Sequence, residues 1–270
     1  MQKEVMHNWP LSQNNPYQLV SKSPWPVMAA FMGFCMALGL INFMHCYSTN
    51  LMFFGLLFVS LVSIFWWRDV IREATFQGQH TQSVIGNLRL GFLLFIGSEV
   101  MFFFSFFWAF FHSSLAPAVW IGCQWPPSGI VPLNFLATPL LNTVILLSSG
   151  ATVTVAHVLL RNSKGKEAGY FLVLTVMLGV LFTSLQVKEY LECPFTVADS
   201  AYGSAFFLMT GFHGAHVLIG TGILIVQTFR TFSDHFLSYH HFGLDAAIWY
   251  WHFVDVVWLF LYTWVYAWGS

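Results

Sequence analysis

A chain of 270 residues could hold one or two water-soluble domains, but 57% apolar and 8% charged residues exclude them, because soluble domains carry roughly 25% charged side chains. A net charge of −1 excludes a nucleic-acid partner that needs a basic face, and four cysteines at unrelated positions (Cys35, Cys46, Cys123 and Cys193) exclude a disulfide scaffold. What remains is an integral membrane protein made mostly of lipid-facing helices.

About 20 apolar residues cross a hydrocarbon core of roughly 30 Å. No charged residue lies between Lys22 and Arg68, which leaves room for two helices, at about 26–46 and 51–67, divided by the polar hairpin Tyr47-Ser48-Thr49-Asn50. The stretch 68–88 is polar and charged and reads as a loop. A third helix runs from about Leu88 to Ser114. Pro117, Pro126, Pro127 and Pro132, with Gly122 and Gly129, mark 115–136 as an ordered loop outside the bilayer. Helices at about 139–160, 168–188, 201–229 and 246–268 complete seven spans. These runs lack the alternating polarity of barrel strands. The expected fold is therefore all-α, a polytopic membrane protein with seven transmembrane helices. Its expected parts are a tail (1–25), a two-helix bundle (26–67), a charged loop (68–87) and a five-helix bundle (88–270).

With seven spans, the N-terminal tail and every second loop share one side of the membrane. That side holds Lys3, Lys22, Arg68, Arg72, Arg89, Arg161, Lys164, Lys166 and Arg230, against Lys188 alone on the other. The bias puts the N-terminus in the cytoplasm or the mitochondrial matrix and the C-terminus opposite. The first 22 residues show neither a signal peptide nor an Arg-rich transit segment, so a mitochondrial location implies synthesis inside the organelle.

Several residues are candidates for chemistry. Glu99 lies near mid-depth of the third span, where a carboxylate costs several kcal/mol unless paired or neutralised. It is either a proton-relay or ion-pathway acid, or a protonated acid hydrogen-bonded within the bundle, with no second mid-membrane acid in view as a relay partner. His252 and Asp255 stand three apart on one face of the seventh span and can meet in an aromatic surrounding. Among the eleven histidines, His112 and His157 fall near helix ends and His240-His241 in a loop, while His213 and His216 share a face of the sixth span without an accompanying EXXH. No CxxC pair occurs. Core or interface roles are expected for the histidines, with no metal or cofactor in this chain.

The stretch Trp66-Trp67-Arg68-Asp69-Val70-Ile71-Arg72-Glu73 sets indole rings and guanidinium groups at the headgroup layer, suited either to a specific lipid or subunit contact or to an ordinary positively charged flank. In the sixth span, Gly203, Ser204, Ala205, Gly211, Gly214, Ala215, Gly220 and Gly222 permit close backbone approach and say nothing about reaction type.

A set of motifs then points to a family: Ser23-Pro24-Trp25-Pro26, the stretch from Trp66 to Thr81, Ser98-Glu99-Val100-Met101-Phe102-Phe103, Phe107 to Pro117, and Cys123-Gln124-Trp125-Pro126-Pro127. They continue with Leu140-Leu141-Asn142-Thr143, Thr210-Gly211-Phe212-His213-Gly214-Ala215-His216, and Trp249 to Phe260. In this order, over nearly the whole length, the chain resembles subunit III of the cytochrome c oxidase complex. The resemblance implies a mitochondrial inner-membrane subunit, N-terminus in the matrix, with helices 1–2 and 3–7 separated by a V-shaped, lipid-filled cleft. It implies a chain without a redox centre beside catalytic subunit I, subunit II and accessory subunits, with haem and copper in those partners.

Proton uptake would be supported through structural phospholipids. Their expected contacts are Trp66, Trp67, Arg68, Arg72, Glu73, His80, Glu99, Arg230 and His240. Two places depart from the common pattern: Ala118-Val119-Trp120-Ile121, where many relatives have an acid, and Val158, where a second histidine is common. The competing readings are a stand-alone transporter or channel using Glu99, which should show ionisable residues on several spans, and a haem-binding membrane cytochrome, disfavoured by the histidine positions.

Overall fold

The computed structural model describes residues 16–18 and 20–270; Lys3 and the rest of the expected tail before Pro16 lie outside the described residues. Seven helices among them are long and apolar enough to cross a membrane. They are α1 (Trp25–Met44), α2 (Asn50–Thr75), α3 (Gln82–Leu115), α4 (Thr138–Arg161), α5 (Gly165–Glu192), α6 (Ser200–Phe232) and α7 (Phe242–Leu261), which continues through a π-helical segment, Tyr262–Trp268. The expected all-helical, seven-span architecture is observed.

The stretch expected as a loop, 68–88, is a correction. Helix α2 continues to Thr75 and α3 already begins at Gln82, so the connector shrinks to 76–81. Leaving the hydrocarbon layer does not end a helix, because Arg and Glu are good helix formers. The stop is set by backbone chemistry: Gly78 turns the chain at φ 65°, and the Thr81 hydroxyl accepts the Val84 N–H to open α3. At 34 residues, α3 is about 51 Å long and overshoots any bilayer core.

The chain forms two compact units that divide between Leu88 and Arg89. In the first, α1 and α2 touch backbone to backbone. A Cβ on Gly39 would stand 2.2 Å from the Met52 nitrogen, and one on Gly55 would stand 2.6 Å from that of Met36. Small residues allow this approach where lipid supplies no hydrophobic drive for helices to associate. Trp25 fixes the other end by stacking on Phe65 at 5.7 Å and donating its indole N–H to Asp69 at 2.7 Å.

The second unit is a bundle organised around α7. Two thirds of that span is buried, and Trp251, Trp258, Leu244 and Leu261 are fully enclosed. Trp251 and Trp258 donate their indole N–H groups to Ser149 and Thr143 of α4, each at 2.9 Å. Helix α3 joins this bundle through rings, with Phe103 against Phe253 at 6.0 Å and Phe95 against Tyr250 at 6.4 Å. Segment 116–137 connects α3 to α4, and its Trp125 packs on Phe110 and Tyr202. Of the small residues on α6, Gly203 and Gly220 meet neighbours closely, whereas Gly211, Gly214 and Gly222 face open space.

Gly55→Leu is expected to destabilise the α1–α2 pair by about 1–3 kcal/mol, the usual cost of overpacking. Gly33→Leu, on α1 with nothing within 4 Å, is the control. Detergent-denaturation midpoints should separate the two; equal midpoints would remove the backbone-contact account.

Candidate functional site

Residues expected to contact lipid divide between the two units. In the first, Trp67 is 60% exposed and Trp66 39% exposed, and both sit on α2 two turns before its end rather than at it. Arg68 pairs with Asp69 at 2.9 Å and lies 5.3 Å from the Phe65 ring centroid. Asp69 also receives the Trp25 indole, and Glu73 accepts a bond from Gln18 at 2.8 Å. Arg72, in the last turn of α2, is exposed and makes no ion pair with a described residue. Of the two arginines, Arg68 alone forms an ion pair with an acidic neighbour among the described residues. His80 is half-buried in the short connector before α3.

In the second unit Glu99 stands near the midpoint of α3, partly buried, and has a partner that sequence reasoning missed. Its Oε2 lies 2.8 Å from Nε2 of His216 on α6. The other ring nitrogen, Nδ1, is 2.6 Å from the Phe212 carbonyl. A carbonyl only accepts, so Nδ1 carries a hydrogen. If the imidazole is neutral, Nε2 is bare and Glu99 must donate its own proton; if it is imidazolium, Glu99 is a carboxylate. Both arrangements are net neutral and share one proton. Phe103 and Tyr250 wall the pair, with ring centroids 5.0 and 6.2 Å from the imidazole.

His213, which shares a helix face with His216, has a separate role. It is buried, with Nε2 3.3 Å from the Val254 carbonyl and its ring on Trp258. His252 and Asp255 meet as expected, at 3.6 Å, and Thr154 of α4 reaches His252 Nε2 at 3.3 Å.

Arg230 closes α6. It donates to Gln227 at 3.1 Å and holds its guanidinium 4.4 Å from the Phe236 ring centroid. His235 nearby is held below its ordinary range, first by burial and then by the Arg230 charge. His240 is half-buried in the α6–α7 loop. One turn further on, His241 and His157 both approach Asp245, at 3.3 and 3.0 Å, while Arg89 of α3 holds its other oxygen at 3.3 Å. Sequence reasoning missed this cluster. The available signal was the spacing of His241 and Asp245, hidden because the seventh helix was expected to start at 246 rather than 242.

The profile of the family described as Cytochrome c oxidase subunit III matches residues 15–270. The chain belongs to the cytochrome c oxidase subunit III family. Individual relatives agree. The cytochrome c oxidase subunit 3 of Paracentrotus lividus is 57% identical over 260 residues, covering 96% of this chain and 100% of that protein. Those of Branchiostoma lanceolatum and Papio hamadryas are 57% and 54% identical over 258 residues, covering 96% of this chain and 98% and 99% of their own lengths. The resemblance drawn from the motifs is borne out, and the polar pairs described above all fall within the stretch that the subunit III family profile covers.

The Glu99–His216 contact gives a testable number. Interhelical hydrogen bonds in membranes couple by about 0.6 kcal/mol on average and up to about 1.7. A double-mutant cycle of Glu99→Gln and His216→Leu, read as unfolding free energy in detergent, should fall in that range. Additivity within about 0.3 kcal/mol would mean that the two side chains are independent.

Proposed function

We infer that the chain serves as a non-redox core subunit of the cytochrome c oxidase complex, the respiratory oxidase that moves electrons from cytochrome c to oxygen and translocates protons. The carrying observation is the family match over residues 15–270. On this reading the oxidoreductase activity belongs to the complex. Haem and copper lie in partner subunits I and II, and this chain stabilises the catalytic subunit and supports proton uptake. The relatives give no support to a stand-alone transporter built on Glu99.

The reading is tested by isolating the tagged chain with its natural partners. The complex should show haem bands and oxygen reduction, and the separated chain should show no haem bands. Haem that stays with the separated chain, or the absence of haem-bearing partners, would sink it. The location we propose is the mitochondrial inner membrane with the N-terminus in the matrix, supported by the bias of basic residues. An impermeant maleimide should then reach exposed Cys46 and Cys123 from the intermembrane side. Labelling from the matrix side would reverse the orientation.

We assign structural phospholipids to Trp66, Trp67, Arg68, Arg72, Glu73 and His80 in the first unit and to Glu99, Arg230 and His240 in the second. Exposed Arg72 below the exposed indole of Trp67 supports it, since a guanidinium can hold a headgroup phosphate by charge-assisted hydrogen bonds. Acyl chains add little specificity, because one apolar surface replaces another. Arg72→Ala with Arg230→Ala should therefore lose co-purifying phospholipid and lower thermal stability. Unchanged lipid stoichiometry and unchanged stability would end the proposal.

A further inference from the structure

We propose that His157, His241 and Asp245 form a divalent-cation site of the Zn²⁺ class, a role that the sequence analysis did not expect. The proposal rests on this chain's own residues and is independent of the oxidase reading. Three observations carry it, and each concerns a different feature of the cluster.

The first is the donor set and its spacing. One ligand atom from each residue, Nε2 of His157, Nε2 of His241 and Oδ1 of Asp245, lies within 4.8 Å of the others. The two nitrogens stand 3.0 and 3.3 Å from Oδ1. Ligands about 2.1 Å from a tetrahedral ion stand about 3.4 Å apart, so both nitrogen–oxygen separations come close to an edge of such a shell. Two imidazoles and a carboxylate suit Zn²⁺ far better than Mg²⁺ or Ca²⁺, which prefer oxygen throughout.

The second is direction. Despite these short distances, the His241 ring, whose hydrogen sits on Nδ1 toward the Leu237 carbonyl, aims no N–H at the buried Oδ1 of Asp245. A plain His–Asp–His polar cluster would align its hydrogens on that oxygen. A bare imidazole nitrogen 3.3 Å from a carboxylate oxygen is repulsive unless a cation sits between the two lone pairs. The two imidazole rings lie edge to face, with centroids 5.6 Å apart.

The third is the support around the ligands. His241 sets Nδ1 2.9 Å from the Leu237 carbonyl, which places the hydrogen on Nδ1 and leaves Nε2 with its lone pair in the neutral ring. Metal-binding histidines are oriented in this way. Arg89 grips the second carboxylate oxygen, Oδ2, at 3.3 Å and so turns Oδ1 toward the imidazoles. The Arg89 charge opposes a cation, but it is half-exposed and engages the far side of the carboxylate. His241 and Asp245 are nearly buried, at 9% and 8% side-chain exposure, and His157 at 27% leaves an entry and a fourth position for water.

The test uses the full chain in lipid nanodiscs, washed with chelator and dialysed against buffered micromolar Zn²⁺. Wild type is expected to retain one Zn²⁺ per chain, with zinc-edge X-ray absorption showing two imidazoles and oxygen. Asp245→Asn and His241→Gln should each weaken binding at least tenfold. Should Asp245→Asn fail to fold, His157→Gln carries the test, because that side chain is partly exposed and makes no core contact comparable to those of Trp251 or Trp258. Equal Zn²⁺ retention by wild type and His157→Gln, or none by wild type, would overturn the proposal.

Discussion

The antiparallel seam between α4 and α7 fixes the second unit. Lipid tails are as apolar as leucine, so helices in a membrane gain little from hiding apolar surface from one another, and register must come from packing and polar contacts. Four such contacts are spread along this seam: Thr143 with Trp258, Ser149 with Trp251, Thr154 with His252, and His157 with Asp245. A shift of one residue along either helix would break all four together. With α7 held in this register, its remaining faces are committed. Val254 offers its carbonyl to His213, and Tyr250 and Phe253 wall the Glu99–His216 pair.

Two ways of packing helices coexist in the chain. Helices α1 and α2 approach backbone to backbone at Gly39 and Gly55, a contact any side chain would prop open. Helix α3 instead lies on α6 and α7 through phenylalanine rings, with Phe102 edge-on to Phe212 at 5.1 Å and Phe107 against Phe260 at 6.1 Å. Ring-spaced packing holds the backbones apart, which gives Glu99 and the His216 imidazole room to meet between them. The close glycine contact has no such space and no ionisable residue in it.

The spans were legible in the sequence because charge-free runs of sufficient length are a direct consequence of the bilayer. Their ends were less so. Arg68 to Glu73 is polar yet helical, since only the solvent changes there and the propensity does not, and the true stop is Gly78. Local pairs such as His252–Asp255 could be read from spacing. Glu99–His216 could not, because the partner is 117 positions away and neither helix's rotation is set by its own sequence. The Asp245 cluster failed for a narrower reason. A four-residue error in the start of α7 placed Asp245 in a loop and hid its one-turn relation to His241.

Charge placement links this architecture to life inside a larger complex. Glu99 faces His216 and Asp255 faces His252, so each acid within the bundle's span has a base within 4 Å and each pair can settle its protons with no net charge. Ion pairs between fixed charges lie toward helix ends: Lys164 with Glu167, Lys188 with Glu192, and Arg89 with Asp245. The buried acid Glu189 differs, held by the neutral donors Tyr266 and Gln186, but it too belongs to the last turn of α5. Coulomb interactions reach far in a low-dielectric interior, so an uncompensated charge at mid-depth would shift the energetics of any electron or proton carrier packed beside it. A bundle whose mid-depth acids are matched by bases imposes little net field on its neighbours. For a chain of the oxidase subunit III family, which implies a multi-subunit complex, that electrical quietness keeps the bundle's own field off whatever packs beside it.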